Sequence, residues 1–196
     1  MLTNAIDLGQ KRVNMLLAAL PAVAPAVTGR RMSAELDAID QLLLTHLQQD
    51  ARLTNAELAR RVKLSPPGLQ RRLKKLEESG LIDRYVALVN REALGYDMLC
   101  FVQVTLQRHQ PELIQQFRQL IQTVPEVLEC HHITGEYDYL LKVVVRNRHH
   151  LEQFLVETLT PAPGMDKIRT SLVLSEIKMS TAVPLPSNGL LSREET

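Results

Sequence analysis

Two rhythms of apolar residues run along this chain, and the first is helical. Leu36, Ile39, Leu43, Leu44 and Leu47 recur three and four apart, which predicts a helix over Glu35–Gln49 with one buried face. Thr54 then stands three residues before Glu57, the pairing that caps a helix start reciprocally. That predicts a short helix over Asn55–Arg61 burying Leu58, with Val62 just beyond. A third start follows at Ser65-Pro66. A serine oxygen there takes up an unpaired first-turn amide, and proline at the first helical position loses no needed donor. Leu69, Leu73 and Leu76 form its stripe as far as Ser79, and Gly80 supplies a left-handed stop. Two short helices joined by Val62-Lys63-Leu64 predict a helix-turn-helix.

The second rhythm is alternation. Leu81-Ile82 and Arg84–Asn90 carry β-favouring residues, which predicts a strand leading out of the helical unit, with Asn90–Asp97 as the connection. Beyond it lie a strand over Met98–Gln107, a helix over Glu112–Gln122 opened by Pro111, and a hairpin. The hairpin's arms are Val127–Thr134 and Tyr137–Val145, turning at Gly135-Glu136. A helix over Asn147–Leu159 and a strand over Lys167–Lys178 complete the series. The order βαββαβ is the ferredoxin-like split arrangement, an α+β fold with two helices on one face of a four-stranded antiparallel sheet. The opposite face carries alternating apolar residues and predicts a partner subunit covering it. The chain then divides into a poorly ordered extension (1–31), a DNA-binding domain (32–90), a linker (91–97), the βαββαβ domain (98–185) and a tail (186–196).

Composition narrows the class. With 196 residues, one or two domains are expected. Only Cys100 and Cys130 are present, too few for a disulfide scaffold, which favours a reducing, cytoplasmic setting. No run approaches the roughly 18 apolar residues of a membrane span, so no membrane partner is expected. Lys11-Arg12 before Val13–Val27 imitates a secretion signal, but Pro21 and Pro25 interrupt it. Residues 1–31 therefore read as a loose arm or an upstream extension, since Met32 directly precedes the patterned sequence.

The net charge of +1 hides a division along the chain. Arg60–Arg91 holds nine Lys/Arg against three Asp/Glu, whereas Glu92–Thr196 holds nine against thirteen. A basic block of this kind fits a polyanion. On the helix from Pro66, the side opposite the leucines presents Gln70, Arg71, Arg72, Lys74 and Lys75, and Arg60, Arg61 and Lys63 lie upstream. A recognition helix reads the major groove with its early residues. Arg pairs bidentately with guanine and Gln with adenine, which favours Gln70, Arg71 and Arg72 as base readers. Lys74, Lys75 and Arg61 suit phosphates, and Ser65 at the cap belongs to the same surface. A solvated amphipathic helix would show the same charges, but the capped helix pair upstream favours double-stranded DNA as the partner.

These residues also resemble a known family. Leu36-Asp37-Ala38-Ile39-Asp40, Leu47-Gln48-Gln49-Asp50-Ala51-Arg52, and Leu58 through Pro66 resemble the opening of the Lrp/AsnC transcription regulators. So do Arg72-Leu73-Lys74-Lys75-Leu76-Glu77 and Gly80. Pro125–Cys130 and Thr134–Leu141 resemble the family's effector domain, and Lys178 with Thr181–Leu185 resembles its ending. Lys63 departs from the pattern, standing where the family commonly has Gly. Pro67-Gly68 replaces a Pro-Thr type of opening, which leaves the first base-contacting residue open. The resemblance covers about Met32 to Leu185. It implies a winged helix-turn-helix joined to an effector domain, in a cytoplasmic, nucleoid-associated regulator that dimerises and assembles into tetramers, octamers or larger rings. It further implies that a free amino acid binds between effector domains.

For such an effector the hairpin Thr134, Gly135, Glu136, Tyr137 and Asp138 is the candidate site. Asp138 or Glu136 offers an anion for the ammonium, and Gly135 lets backbone amides approach the carboxylate. A plain turn with solvated acids is the alternative. A metal site at Cys130 and His132 gathers two ligands at best, with His131 on the other strand face and His149-His150 on a distant helix. No metal or cofactor is therefore expected. No nucleophile–base pair, phosphate loop or metal motif supports an enzyme, and no catalytic residue is assigned. A stand-alone metabolite-binding oligomer is the third reading, opposed by the basic helix.

Overall fold

The computed structural model describes residues 36–107 and 110–186. The expected extension over 1–31, residue Glu35 and the tail beyond 186 lie outside the described residues. The chain forms two compact units, one running to Leu88 and resuming at Ile177, the other Val89–Glu176.

In the first unit α1 spans Ala38–Gln49. It starts after Asp37 because that residue is extended and its carboxylate accepts the Asp40 N–H at 2.8 Å, closing the cap. α2 spans Asn55–Arg61 behind the anticipated box: Thr54 Oγ1 accepts from Glu57 N–H, and the Glu57 carboxylate accepts from Thr54 N–H. α3 spans Pro66–Glu78 and ends at Gly80, whose φ of +73° is left-handed. Leu81 N–H donates to Leu76 O and Gly80 N–H to Glu77 O, so two end carbonyls are satisfied at once. The unit's core is Leu43, Leu44, Leu58, Ala59, Val62, Leu69 and Leu76, the stripes of all three helices. In the turn between α2 and α3, Lys63 takes φ +54°. That is the conformation glycine adopts freely and a lysine adopts under strain.

Two features differ from expectation. Arg84–Asn90 forms no strand. It runs extended, with Tyr85, Val86, Leu88 and Val89 exposed. Alternation marks a segment that could pair, but a ladder needs a neighbour, and none is found among the described residues. The tail also returns to the helical unit. Leu185 packs on its core, and the Gln48 side chain bonds the backbone of Val183, so the chain leaves the sheet unit at Glu176 rather than at 185.

The second unit follows the βαββαβ plan. β1 (Met98–Leu106), β2 (Val127–His132), β3 (Tyr139–Val145) and β4 (Met165–Leu172) form an antiparallel sheet in the order β2-β3-β1-β4. α4 spans Pro111–Gln122, and α5 spans Arg148–Gln153 behind an Asn147 cap. α5 continues as a π turn over Phe154–Leu159, closed by Thr160 N–H donating to Leu155 O. The wider turn brings Phe154 and Leu159, five apart, into the same core. Cys100, Val102, Val104, Leu141, Val143 and Val145 share that core with Phe117 and Ile121 of α4. β4 stops at Leu172, short of the predicted Lys178. Among the described residues its one strand neighbour is β1, and after Val173 N–H donates to Leu99 O that neighbour is used up.

The sheet face away from the helices is mixed rather than alternately apolar. Leu99, Phe101, Leu140 and Val144 come from the inner strands, while Glu129, His131, Lys167 and Arg169 come from the edges. Lys142 Nζ and His131 Nε2 both meet the Glu129 carboxylate, at 2.9 and 3.1 Å, which holds that carboxyl below its ordinary range.

Candidate DNA-reading surface and effector hairpin

The candidate DNA-reading surface is built on α3. Ser65 uses its hydroxyl oxygen as the helix cap, accepting from Gly68 N–H at 3.3 Å. A Cβ on residue 68 would stand 3.2 Å from that oxygen, so glycine keeps the cap uncrowded. The buried stripe Leu69–Leu76 fixes the roll of the helix, and Gln70, Arg71, Lys74 and Lys75 face outward. Arg60, Arg61 and Lys63 are exposed at the end of α2 and in the turn. Lys74 lies 3.6 Å from Glu78, but both side chains are about 70% exposed, a pairing too hydrated to withdraw the ammonium from a phosphate.

Arg72 is the exception. Its guanidinium turns back onto α1 and donates from Nη1 to Asp37 Oδ2 at 2.6 Å and to Asp40 Oδ1 at 2.7 Å. Asp40 is buried, its side chain 2% exposed, and it is the only charged residue in either core among the described residues. The two carboxylates hold the guanidinium's pKa above its usual value. The Asp37 carboxyl lies below its ordinary value, first through the Asp40 N–H and then through Arg72. Sequence pattern places Arg71 and Arg72 together as readers, whereas the fold separates them. Arg71 faces solvent, and Arg72 ties the reading helix to α1. Nothing local to α3 signals this, because the partners lie 35 and 32 residues away.

The hairpin between β2 and β3 is closed by Ile133 N–H donating to Asp138 O. Gly135 takes φ +122° with nothing within 4 Å of a virtual Cβ, an open turn that leaves its backbone accessible. Asp138 is built into the framework. Its Oδ2 accepts from Leu106 N–H at 2.8 Å and its own N–H donates to Val104 O, tying the hairpin to the end of β1. Glu136 is the acid on the exposed side. Tyr139 is buried against Phe117 and His132, with ring centroids 4.9 and 5.0 Å away, and takes a hydrogen bond from Arg118 Nε. Tyr137 instead meets Arg169 of β4, whose guanidinium is held above its usual pKa by the Tyr137 side chain and the neighbouring Glu136. Arg169 thus brings a cation to the Tyr137 phenol, within electrostatic reach of Glu136. Arg169 carried no signal in the sequence, because basic residues on an edge strand, here Lys167 and Arg169, are an ordinary solubility device.

The residues weighed for a metal serve other ends. His132 stacks on Tyr139, His131 pairs with Glu129, and His150 bonds Glu126 at 3.1 Å while accepting from Arg146 N–H. Desolvation pushes the Cys130 thiol up to about 11, the wrong direction for a thiolate ligand. Among the described residues no three His, Cys, Asp or Glu side chains converge on a cation position, and no helix is long and apolar enough to cross a membrane.

Comparison with known proteins places both units. Residues 36–83 match the "Winged helix-turn-helix DNA-binding" family, and residues 99–183 match the "Lrp/AsnC ligand binding domain" family. The leucine-responsive regulatory proteins of Escherichia coli K12 and Klebsiella pneumoniae are each 40% identical over 151 residues, covering 77% of this chain and 92% of theirs. Among solved structures, a Neisseria meningitidis transcriptional regulator in complex with L-Met superposes with TM-score 0.73 at 38% identity, covering 76% of this chain and 96% of that one. The feast or famine regulatory protein of M. tuberculosis complexed with L-methionine gives 0.69 at 31% identity, covering 77% and 99%. LrpC of B. subtilis gives 0.66 at 32%, covering 74% and 99%.

A capped helix-turn-helix with a basic outer face, followed by a βαββαβ unit and matched by regulatory proteins along both units, defines a DNA-binding transcription regulator. The chain belongs to the Lrp/AsnC family.

Proposed function

We propose that this regulator binds specific DNA sequences as an oligomer and that a free α-amino acid, held at the hairpin Thr134–Asp138, sets its DNA affinity or assembly state. The observation that carries the amino-acid reading is the open turn at Gly135, with Arg169 of β4 within reach of both Tyr137 and Glu136. A zwitterion carries one carboxylate and one ammonium, and this arrangement offers a guanidinium for the first and a carboxylate for the second. Two structural relatives hold L-methionine, which supports the same ligand class here. Asp138 shapes the turn rather than holding the ammonium, since its carboxylate bonds Leu106.

On DNA, Gln70 and Arg71 read base edges, while Arg60, Arg61, Lys63, Lys74 and Lys75 meet phosphates and set register. The sheet face holding Phe101 and Leu140 is covered by a second subunit. Reading helices then act in pairs, on half-sites about 34 Å apart or a multiple of that. Such binding places the protein on the nucleoid. The ligand changes the outcome only through unequal affinity for two assembly states.

Calorimetric titration with each of the twenty amino acids, followed by sizing and DNA binding with any that bind, tests the reading. Arg169→Ala and Glu136→Gln are each expected to weaken the bound amino acid at least tenfold. Unchanged affinity in both variants would sink the assignment of the hairpin, and no binding by any amino acid would sink the effector reading.

A further inference from the structure

Gln48 stands in the last turn of α1, and its amide closes a two-bond clasp on one residue of the tail. Val183 N–H donates to Gln48 Oε1 at 2.6 Å, and Gln48 Nε2 donates to Val183 O at 3.2 Å. A side-chain amide can satisfy both the donor and the acceptor of a single backbone residue, as a neighbouring strand would. Two residues further on, Leu185 packs on the core formed by Leu43, Leu44 and Leu58. At the opposite end of α1, Asp37 and Asp40 grip Arg72 of the reading helix. α1 is a rod of 12 residues, about 18 Å long, with the tail fastened at one end and the reading helix at the other.

We propose that the tail from Ile177 to Leu185 is a positioning element for DNA reading. It fixes the C-terminal end of α1 through Gln48, and α1 passes that constraint to α3 through the Asp37–Arg72–Asp40 contact. Base edges reward a helix only when donors and acceptors arrive in register, whereas phosphate attraction tolerates displacement. Loosening the clasp therefore costs sequence discrimination before it costs general affinity for DNA. The inference rests on α3 being the reading helix.

The test uses the full chain and a duplex selected by the wild-type protein from a random pool, with an unselected duplex of equal length beside it. Gln48→Ala removes both clasp bonds. Val183→Pro removes the tail's donor. Gln48→Glu keeps the acceptor of the shorter bond and serves as the conservative variant. Affinity is measured across salt concentrations, and hydrogen exchange is followed along α1 and α3. Gln48→Ala and Val183→Pro are expected to lose about tenfold on the selected duplex, with affinity and salt slope on the unselected duplex unchanged. Gln48→Glu is expected to stay within about threefold of wild type. Amides at the end of α1 and around Arg72 exchange faster in the first two variants.

Equal losses on both duplexes would overturn the proposal, since the tail would then act on folding alone. Unchanged selected-site affinity would overturn it as well. If the wild type enriches no sequence, the reading-helix assignment fails instead. The exchange measurement then decides the tail's role by itself, and unchanged exchange at α3 refutes it.

Discussion

Arg71 and Arg72 are neighbours in sequence, yet the structure gives them opposite duties, so replacing each separately is a sharp test. Removing Arg72 leaves Asp40 buried without its cation. Breaking a buried pair by deleting one partner costs about 3–5 kcal/mol, and an exposed pair about 0–1. Here the Asp40 side chain is 2% exposed but Arg72 is 25% and Asp37 50% exposed. Water can partly replace the lost guanidinium, so about 2–3 kcal/mol is expected for Arg72→Ala. That corresponds to roughly a 30- to 150-fold change in the opening equilibrium of α1 and α3. Arg71→Ala has no such partner and is expected to shift stability by less than about 0.5 kcal/mol while weakening the selected DNA site. Native-state hydrogen exchange isolates the helical unit, which a global melt of two units does not. A double replacement, Arg72→Met with Asp40→Leu, removes both charges and is expected to regain most of the loss, because a buried pair is rarely better than apolar packing. The reasoning is refuted if Arg72→Ala leaves exchange unchanged but loses discrimination at one base position. Arg72 would then be a reader after all.

The other expectations are smaller. Asp37 has its pKa lowered in the folded state, so its contribution is present above the ordinary value of 3.8 and is lost as pH falls below it; acid titration of Arg72→Ala is expected to show a flatter loss of stability below about pH 4. Lys63→Gly relieves a left-handed lysine and is expected to stabilise the helical unit by about 0.5–1 kcal/mol, while lowering the salt slope of DNA binding by about 0.9; a gain in DNA affinity would contradict the phosphate role. Lys75→Ala is expected to weaken selected and unselected duplexes alike, measured by anisotropy across salt. Asp138→Ala removes a charge-assisted bond to Leu106 N–H and is expected to destabilise the sheet unit by about 1.5–3 kcal/mol in a urea titration; a loss confined to ligand affinity would restore Asp138 as a ligand contact.

Much of the fold was legible because its signals are local. The Thr54/Glu57 box, Ser65-Pro66 and Gly80 each act within one turn of the chain, and the structure forms all three where the pattern places them. The βαββαβ order was legible for the same reason, since strand alternation and helix periodicity are written in neighbouring residues. The errors fall where pairing decides. Arg84–Asn90 and the stretch after Leu172 have strand-like composition, yet a strand exists only beside another strand, and no local pattern supplies that neighbour. β4 ends where β1 begins, a limit set some seventy residues away.

At the candidate sites two side chains have partners that no local pattern supplies, and one physical reason covers both. A charged side chain is assigned by what lies opposite it, not by its residue type. Arg72 reads as a base contact alongside Gln70 and Arg71, and Asp138 as an anion alongside Glu136, because each is charged and sits on a surface of interest. Each turned out to hold its segment in place, Arg72 against α1 and Asp138 against β1. In the proposed reading their neighbours Arg71 and Glu136, which face solvent, are the ones that meet ligands. A regulator needs this division. A side chain that waits for DNA or an amino acid must stay hydrated in the free protein. The helix or turn that aims it must be fixed beforehand, and the short charged contact beside it does that.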